Sequence, residues 1–446
     1  MSAITDAARR PRAVWRSPRA YMLATVAGIV GLGNIWRFPY MVGRHGGGSF
    51  LVAYIVCVAV IAMPLAALES AAGSLLRRSP VGSFRRAAGP RGAVIGWAVI
   101  ATAVAILSYY LVVTGWTLGY AVDSYRGSLR PFREFTSGYA SLWWFLLVGV
   151  ACFVVLLRGV AAIERASLLL VPVLVLVVVG LAVYAQSLDG AQQARTFYFG
   201  VSASALAEPA TWQAAAGQAF YSIGVGQGVL ITYGSFVPAG TNLLRSTATI
   251  ALTNSIVSVV AGIMVLTFAF SFDIAPTTGS ELSFTAFPRA FAEVPGGAAL
   301  GAVFFTLLLL AGFTSCLGAF VVIVSTVRDE VRLPARAAAA LSVCGVVALG
   351  IPSALSFTDA NLEVGGERFL DRIDQLTGSG IIVVLGMLGA AVLARRLPRR
   401  VLTAAFGVDT ARFGRTRSGP GLILRWAMVL PIIAAAFYLL GQVLAR

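Results

Sequence analysis

The residues with the clearest capacity for chemistry lie at 28–40, inside an apolar segment long enough to cross a membrane. They read Gly-Ile-Val-Gly-Leu-Gly-Asn-Ile-Trp-Arg-Phe-Pro-Tyr. Lipid offers no hydrogen bonds, so a membrane helix must satisfy its own backbone, and glycines beside Asn34 and Arg37 work against that requirement. An opened backbone is tolerated at membrane depth only where it lines a polar cavity. The segment therefore predicts a binding site, because a helix merely kinked by glycine would not need Asn34 and Arg37.

A second apolar segment, 217–236, is interrupted in the same way by Gly224, Gly226 and Gly228, beside Ser222 and Gln227. It lies five spans after the first interrupted segment, as an inverted five-helix repeat predicts. Such folds hold substrate and coupling ions near the bilayer midplane, between the two discontinuous helices. The N-termini of the half-helices face anions, and the unwound carbonyl groups coordinate cations.

Composition predicts that the elements positioning these segments form an all-α polytopic membrane protein. Of 446 residues, 58% are hydrophobic and 12% are charged, whereas soluble domains have about 25% charged residues. Apolar stretches predict about eleven transmembrane helices. We place them near 19–43, 47–76, 93–122, 139–157, 163–187, 212–236, 247–272, 298–326, 337–355, 376–394 and 422–444.

The chain is expected to form a single membrane transport domain over 1–446. The first five-helix repeat would occupy 19–187, the second 212–394, and an additional helix 422–444. The interrupted helices are then helices 1 and 6. We expect a cytoplasmic connection over 77–92, a polar outer loop over 188–211, and a short re-entrant or capping segment over 281–295 on the outer face.

The net charge is +16, and every Lys/Arg position is an arginine, because the chain has no lysine. The arginines are concentrated in alternate connections (9–19, 77–91, 328–336 and 395–417), which is the positive-inside pattern and argues against nucleic acid as a partner. It predicts a multi-pass protein of the cell (inner) membrane with a cytoplasmic N-terminus and, since the helix number is odd, an extracytoplasmic C-terminus. One histidine, His45, cannot form a metal site alone. We expect no enzymatic activity, because the spans contain no nucleophile–base constellation.

Several motifs in order resemble the neurotransmitter:sodium symporter family, which has the bacterial leucine-transporter fold. The resemblance covers nearly the whole chain from Trp15. It rests on the Gly-Leu-Gly-Asn and Trp-Arg-Phe-Pro-Tyr motifs at 31–40, Gly-Gly-Gly-Ser-Phe at 46–50, Tyr-Tyr at 109–110 with Trp-Thr-Leu-Gly at 116–119, Ile-Thr-Tyr at 231–233, and Ala-Gly-Phe-Thr-Ser at 311–315.

The resemblance implies two sodium ions in cages of oxygen ligands, which hard cations prefer. One cage would use the carbonyl groups of Ala27, Val30 and Ala311 and the hydroxyls of Thr314 and Ser315. The other would use the Ile29 carbonyl, Asn34, Ser222, Asn254 and a carboxylate of the substrate.

The resemblance also implies an amino-acid-like substrate, because monoamine transporters carry an aspartate where this chain has Gly31. The carboxylate would bind the backbone of Gly31, Leu32 and Gly33 and the Tyr110 hydroxyl. The substrate side chain would contact Ile29, Ile106, Tyr221, Gly224, Gln227 and Ala319. Gln227 departs from the family pattern: it either hydrogen-bonds a polar group of the substrate or faces away.

Charged residues within the spans are candidates for gates. By resemblance, Arg37 and Asp374 form the outer gate under an aromatic lid of Tyr110 and Tyr221. Arg12 and Asp329 form the inner gate, with Trp15 packing nearby; Arg12 could instead be one more positive-inside arginine. Phe236 replaces a tyrosine usual near the inner pair. Glu69 is expected to accept hydrogen bonds from the unwound backbone.

A chloride site is the last element that the resemblance implies. Members of the family place either a carboxylate or a serine about one helical turn after the asparagine ligand, and this chain has Ser258 four residues after Asn254. The neutral hydrogen-bonding set would be Tyr54, Gln218, Ser222 and Ser258. The alternative is that Ser258 only packs and that Glu69 supplies the compensating charge.

The sequence thus predicts a sodium-coupled amino acid symporter that works by alternating access, with possible use of chloride. The alternatives are a proton-coupled transporter of the same architecture and a solute-binding membrane protein that does not transport. The identity of the substrate and the oligomeric state remain open at this point.

Overall fold

A computed structural model describes Trp15 and residues 17–158, 161–238 and 240–397; for 161–171 it describes the backbone alone. The predicted eleventh helix at 422–444 and Arg12 of the predicted inner gate lie outside these residues. The orientation of the C-terminus therefore stays a prediction.

The first half of the described chain is entirely helical apart from its turns. Its elements are α1 (Pro18–Ile29), a π-helical turn (Gly33–Arg37), α2 (Phe38–Arg44), α3 (Gly48–Cys57), a π-helical turn (Val58–Ala62), α4 (Met63–Leu76), α5 (Pro80–Tyr125), α6 (Phe132–Thr136), α7 (Ala140–Arg158), α8 (Ala161–Ala185) and α9 (Ala191–Phe199).

The second half adds one small β-hairpin to a further set of helices. Its elements are α10 (Ala203–Ala207), α11 (Pro209–Ile223), α12 (Val229–Gly234), α13 (Leu243–Ser271), α14 (Leu282–Glu293), α15 (Gly297–Val331), α16 (Ala335–Leu355), strands β1 (Glu363–Val364) and β2 (Glu367–Arg368), α17 (Phe369–Ile373), a π-helical turn (Asp374–Ile381) and α18 (Ile382–Arg396).

Every span predicted before residue 397 corresponds to helical structure. By length and composition alone, 7 helices in the described residues could cross a membrane: Gly48–Leu76, Pro80–Tyr125, Ala140–Arg158, Leu243–Ser271, Gly297–Val331, Ala335–Leu355 and Phe369–Arg396. The fifth predicted span is α8, and the two predicted interrupted spans are the pairs α1/α2 and α11/α12. The all-α polytopic fold with discontinuous helices 1 and 6 is thus confirmed.

The first interrupted span opens at residues 30–32, hereafter the first break. Helix α1 ends at Ile29, and Val30 is extended with φ −78° and ψ 113°. The chain then re-enters helix through the π-helical turn Gly33–Arg37 and continues into α2, where Pro39 has no N–H to donate; the Ile35 carbonyl, four residues before it, accepts from Ser283 Oγ instead. The apolar segment is therefore cut near its middle.

The second interrupted span opens at residues 224–228, hereafter the second break. Helix α11 ends at Ile223, and Gly224, Gly226 and Gly228 have φ of +82°, +75° and +73°. Residues with a Cβ rarely adopt these values, so the three glycines permit this backbone. Helix α12 follows at Val229.

Two predicted connections are wrong in detail. Most of 77–92 is helical, because Ser79 caps α5 by accepting from Gly82 N–H and Pro80 occupies its first turn; the kink falls at Ala88 and Gly89. The predicted polar loop at 188–211 contains α9 and α10.

The predicted outer segment at 281–295 contains α14, an amphipathic helix. Its apolar face buries Phe284, Phe287 and Phe291, and the last two stack with rings 5.9 Å apart. Two hydrogen bonds tie its start to the first interrupted span: Trp36 Nε1 donates to the Ser280 carbonyl at 2.6 Å, and Ser283 Oγ donates to the Ile35 carbonyl at 2.9 Å. Helix α14 therefore packs directly on the segment that carries Asn34 and Arg37.

Candidate functional site

The first break presents backbone amides next to a phenol. The N–H of Leu32 donates to the Tyr110 hydroxyl oxygen at 3.1 Å, and the phenol can donate its own hydrogen to another acceptor. A Cβ at Gly31 would lie 2.9 Å from both Tyr110 Oη and Ser315 Oγ, so only glycine leaves this space open. Helix-start amides with a nearby hydroxyl donor form a group suited to a carboxylate.

A buried polar network joins the first break to α11 and α13. Asn34 Oδ1 accepts from Gly31 N–H at 3.0 Å, and Asn34 Nδ2 donates to Asn254 Oδ1 at 2.9 Å. Asn254 Nδ2 in turn donates to Ser222 Oγ at 3.1 Å. Three of the predicted ligands of one sodium ion, Asn34, Ser222 and Asn254, are thus connected, and the fourth protein ligand, Ile29, lines the adjoining cavity.

The predicted ligands of the other sodium ion lie where α15 passes the first break. Ala27 and Val30 on the first span are buried, as are Ala311 and Thr314 on α15. Thr314 Oγ1 donates to the Ala311 carbonyl at 3.0 Å. Ser315 Oγ is buried and has no hydrogen-bond partner among the described residues. A buried hydroxyl oxygen without a partner, near backbone carbonyls, fits a dehydrated cation.

Three of the predicted chloride-binding side chains, Tyr54, Ser222 and Ser258, join this network. The hydroxyls of Tyr54 and Ser222 are 3.2 Å apart, and Asn34 Nδ2 donates to Ser258 Oγ at 2.7 Å. Gln218 is adjacent: its Nε2 donates to the Gly33 carbonyl at 3.1 Å, and its Oε1 accepts from Arg37. Sequence reasoning missed Ser255, whose hydroxyl lies 3.3 Å from Tyr54 Oη.

A cavity of about 70 Å³ lies between the two breaks and helices α5 and α15. Its wall includes most of the predicted substrate-binding side chains, namely Ile29, Gly33, Ile106, Tyr110, Tyr221, Gly224, Gln227 and Ala319. Gly31 and Leu32, which were also predicted, are not among the residues of this wall. Further lining residues, absent from the prediction, are Gly28, Ala103, Leu107, Val229, Tyr233, Gly318 and Val322.

Arg37 and Asp374 form an ion pair on the side of the cavity that is predicted to face outward. Their Nε and Oδ1 atoms are 2.8 Å apart, and the residues are 0% and 4% exposed. The guanidinium also lies 4.4 Å from the ring centre of Tyr221. Tyr40 and Tyr109 both donate to the Asp374 carboxylate, and Ser379 accepts from Arg37. Sequence reasoning named neither tyrosine as a partner of Asp374, although polar side chains in apolar spans were the available signal.

Glu69 supports the second break. Its Oε1 accepts a hydrogen bond from Gly226 N–H at 2.9 Å, which confirms the contact expected for this acid. Gly226 lacks an intrahelical acceptor because its φ of +75° takes it out of the helix. The carboxylate therefore satisfies a backbone donor that the break leaves without a helical partner.

The side predicted to face inward is held by aromatic packing and by an arginine that sequence reasoning did not single out. Trp15 packs against Tyr233 and Phe236, and its backbone N–H donates to the Phe236 carbonyl at 2.9 Å. Arg77 donates to the carbonyl groups of Ser235 and Val237 at 3.3 and 3.0 Å, beyond the end of α12. Asp329 lies near the end of α15, but Arg12 is outside the described residues, so the inner pair stays a prediction.

Comparison with known proteins agrees with this architecture. A sequence model of the sodium:neurotransmitter symporter family matches residues 12–142 and 136–439. An uncharacterized sodium-dependent transporter of Haemophilus influenzae is 28% identical over 86% of this chain and 89% of its own length. The uncharacterized sodium-dependent transporter YhdH of Bacillus subtilis is 30% identical over 84% of this chain and 85% of its own.

Among solved structures, MhsT in complex with L-phenylalanine superimposes with a TM-score of 0.89. It is 30% identical to this chain, covering 98% of this chain and 100% of MhsT. The chain belongs to the sodium:neurotransmitter symporter family. It is accordingly a sodium-dependent secondary transporter of the membrane and not an enzyme.

Proposed function

We propose that this protein takes up an amino acid together with two sodium ions. The observation that carries the proposal is the cluster of buried side-chain oxygens around the first break, which comprises the Asn34–Asn254–Ser222 network and the unpartnered Ser315 hydroxyl. Hard cations need such a dehydrated set of oxygens.

The substrate would supply the charge that the first break lacks. Gly31 offers no acid, and the Leu32 amide and the Tyr110 hydroxyl face the same space. A substrate carboxylate placed there would meet hydrogen-bond donors on one side and sodium on the other. The relative MhsT binds L-phenylalanine, which also supports an amino acid.

Alternating access would use the residues above and below the cavity as gates. In this structure the Arg37–Asp374 pair and the rings of Tyr110 and Tyr221 are buried on the outer side. Opening would require this pair to separate. On the inner side, Trp15 and the predicted pair of Arg12 and Asp329 would hold the start of α1 against α12 and α15.

Two sodium ions provide enough energy for accumulation. One charge crossing 100 mV yields about 2.3 kcal/mol, and a tenfold gradient adds about 1.4 kcal/mol. Two ions therefore supply about 7 kcal/mol, or about five decades of accumulation for a neutral solute.

We propose that the protein lies in the inner membrane of the cell, with its N-terminus in the cytoplasm. The arginine clusters at 77–91 and 328–336 support it. Arg77 contacts the chain just beyond α12, where Trp15 also packs, and Arg85 pairs with Glu330, so both clusters lie on that side. The proposed inverted repeats are 19–187 and 212–394.

The decisive experiment is uptake of a panel of radiolabelled amino acids into proteoliposomes. We expect uptake with an inward sodium gradient and none when choline replaces sodium. Thr314→Ala should lose most sodium-dependent binding, because the ion loses one ligand, whereas Thr249→Ala, at an exposed position of α13, should behave as the wild type. Uptake driven by a proton gradient without sodium would favour the proton-coupled alternative, and binding without uptake would favour a non-transporting protein.

Chloride is proposed as a co-ion because two sodium ions and a zwitterion leave excess positive charge in a low-dielectric site. The neutral donors Tyr54 and Ser258 both contact this network. Replacing chloride with gluconate at fixed sodium should lower uptake, and Ser258→Glu should remove that dependence by supplying a fixed anion. Undiminished wild-type uptake in gluconate would leave Glu69 as the candidate for the compensating charge.

A further inference from the structure

We propose that Gln227 selects amino acids whose side chain has an apolar body and a hydrogen-bond donor, such as the hydroxyl of tyrosine. The proposal rests on the amino acid transport proposed above. It assigns this chain's own departure from the family pattern to substrate specificity.

The orientation of the Gln227 amide is fixed by its neighbour. Its Nε2 donates to the Tyr221 carbonyl at 3.0 Å. A carbonyl only accepts hydrogen bonds, so the NH₂ end of the amide must face Tyr221. Oε1 is left without a hydrogen-bond partner among the described residues, although Gln227 lines the cavity. Because Gln227 lines the cavity and its NH₂ group is held by Tyr221, the proposal takes Oε1 as an acceptor available to a substrate.

The position of Gln227 is set by the second break. It lies between Gly226 and Gly228, whose positive φ values hold the chain out of helical conformation. Glu69 fixes the same segment through Gly226 N–H. The acceptor is therefore held on a supported segment of backbone, as selective recognition requires.

Two other polar groups of the cavity wall, Ser315 Oγ and Tyr221 Oη, also have no hydrogen-bond partner among the described residues, and the Tyr221 ring lies beside the Arg37 guanidinium. The Ser222 hydroxyl contacts Tyr54 and Asn254. Tyr110 and Ser315 flank Gly31, at the end proposed for the carboxylate and sodium. The Tyr233 hydroxyl is packed against the helix backbones, 3.3 and 2.7 Å from where a Cβ of Gly28 or Gly318 would lie.

The rest of the wall around the proposed side-chain position is apolar, with Ala103, Ile106, Leu107, Val229, Ala319 and Val322. A fully polar side chain would lose its water there without replacement hydrogen bonds. An aromatic or aliphatic side chain with one O–H or N–H group would satisfy both the apolar wall and the Gln227 acceptor. A pure hydrocarbon side chain would displace water from Oε1 and leave that oxygen unpaired.

The test compares matched pairs of substrates in sodium-driven proteoliposomes. L-tyrosine against L-phenylalanine, and L-threonine against L-valine, differ in each pair by a hydroxyl at similar size. In the wild type we expect the hydroxyl-bearing member to have the higher apparent affinity in at least one pair, by about tenfold. Gln227→Met, of similar length without the acceptor, should bring that ratio close to one.

The control is Gln192→Met on the exposed face of α9, which should keep the wild-type ratio. A merely structural role of Gln227 would weaken both members of a pair equally, so the ratio separates the two roles. If Gln227→Met fails to reconstitute, Gln227→Leu replaces it as the variant without the acceptor. The wild-type affinity ratios test the proposal by themselves in either case.

A wild-type ratio near one in both pairs, or a ratio that survives in the Gln227 variant, would overturn this assignment and leave sodium-coupled transport intact. Absence of sodium-dependent uptake of any amino acid would instead overturn the proposed function, and the role of Gln227 with it.

Discussion

The first break, at residues 30–32, and the second break, at 224–228, differ in what supports their irregular backbone. In the first, Val30 is extended with φ −78°, a conformation open to any residue, and the Asn34 side chain caps Gly31 N–H. In the second, three glycines have positive φ, and an acid from another helix, Glu69, caps Gly226 N–H. One break depends on its own side chains and the other on glycine conformation and on α4.

This difference assigns different roles to the glycines. Gly31 leaves room for the groups that face it, Ser315 Oγ and Tyr110 Oη. Gly226 and Gly228 allow the chain to turn. Substitution at the first break should therefore impair ligand binding more than folding stability. Substitution at the second break should mainly lower folding stability.

The largest effect is expected from the ion pair between Arg37, which follows the first break, and Asp374. Arg37→Ala leaves the Asp374 carboxylate buried without its cation, which should cost about 3–5 kcal/mol. We expect loss of transport and a marked fall in melting temperature in detergent, whereas Arg133→Ala, at an exposed position, should change neither.

The double variant Arg37→Ala with Asp374→Asn separates charge from gating. It should recover part of the melting temperature, because no charge is stranded, but not transport. Normal transport in both Arg37→Ala and Asp374→Ala would count against the gate.

Gly226→Ala should be the next most harmful change and should act on folding. Its φ of +75° costs an L-residue about 1–2 kcal/mol, and its Cβ would lie 2.7 Å from the Ile382 carbonyl oxygen. Gly127→Ala is a matched control, because Gly127 has φ +68° with nothing within 4 Å of the added Cβ. Melting temperatures should fall further for Gly226→Ala; equal falls would show that backbone strain alone matters.

Gly31→Ala should lose transport while the protein stays folded. Its Cβ would displace Ser315 Oγ and Tyr110 Oη, both 2.9 Å away, and with them the groups proposed for sodium and the carboxylate. Sodium binding and uptake should drop at a nearly unchanged melting temperature. Gly180→Ala on α8, where a Cβ meets nothing within 4 Å, is the control. A Gly31→Ala protein that transports normally would contradict the assignment of the first break.

Glu69→Gln should have the smallest effect, because the amide oxygen can still accept from Gly226 N–H. Glu69→Leu removes the acceptor and leaves a buried donor unpaired, at about 1–3 kcal/mol. The melting temperature should therefore fall further in Glu69→Leu than in Glu69→Gln. If Glu69→Gln were as harmful as Glu69→Leu, the charge of Glu69, and not its hydrogen bond, would support the second break.

The helical spans were predictable because the transmembrane signal is local: an apolar run of sufficient length must form a helix in lipid. The connections were less predictable. The helix over much of 77–92 begins with the Ser79 cap and Pro80. The arginines of this segment led to its interpretation as a connection. Helices α9 and α10 have only 9 and 5 residues and lie within a polar stretch, so their sequence signal is weaker than that of a membrane span.

The sequence by itself determined the class of fold, the two breaks and most residues of the candidate site, because polar and glycine residues are costly in a membrane span and so mark it. Tertiary structure alone decided which of them meet. Tyr40 and Tyr109 reach Asp374 across more than 260 residues of chain, Arg77 reaches the end of α12, and Tyr221 fixes the amide of Gln227. These contacts depend on the relative placement of helices, and that placement follows from the packing of the whole chain.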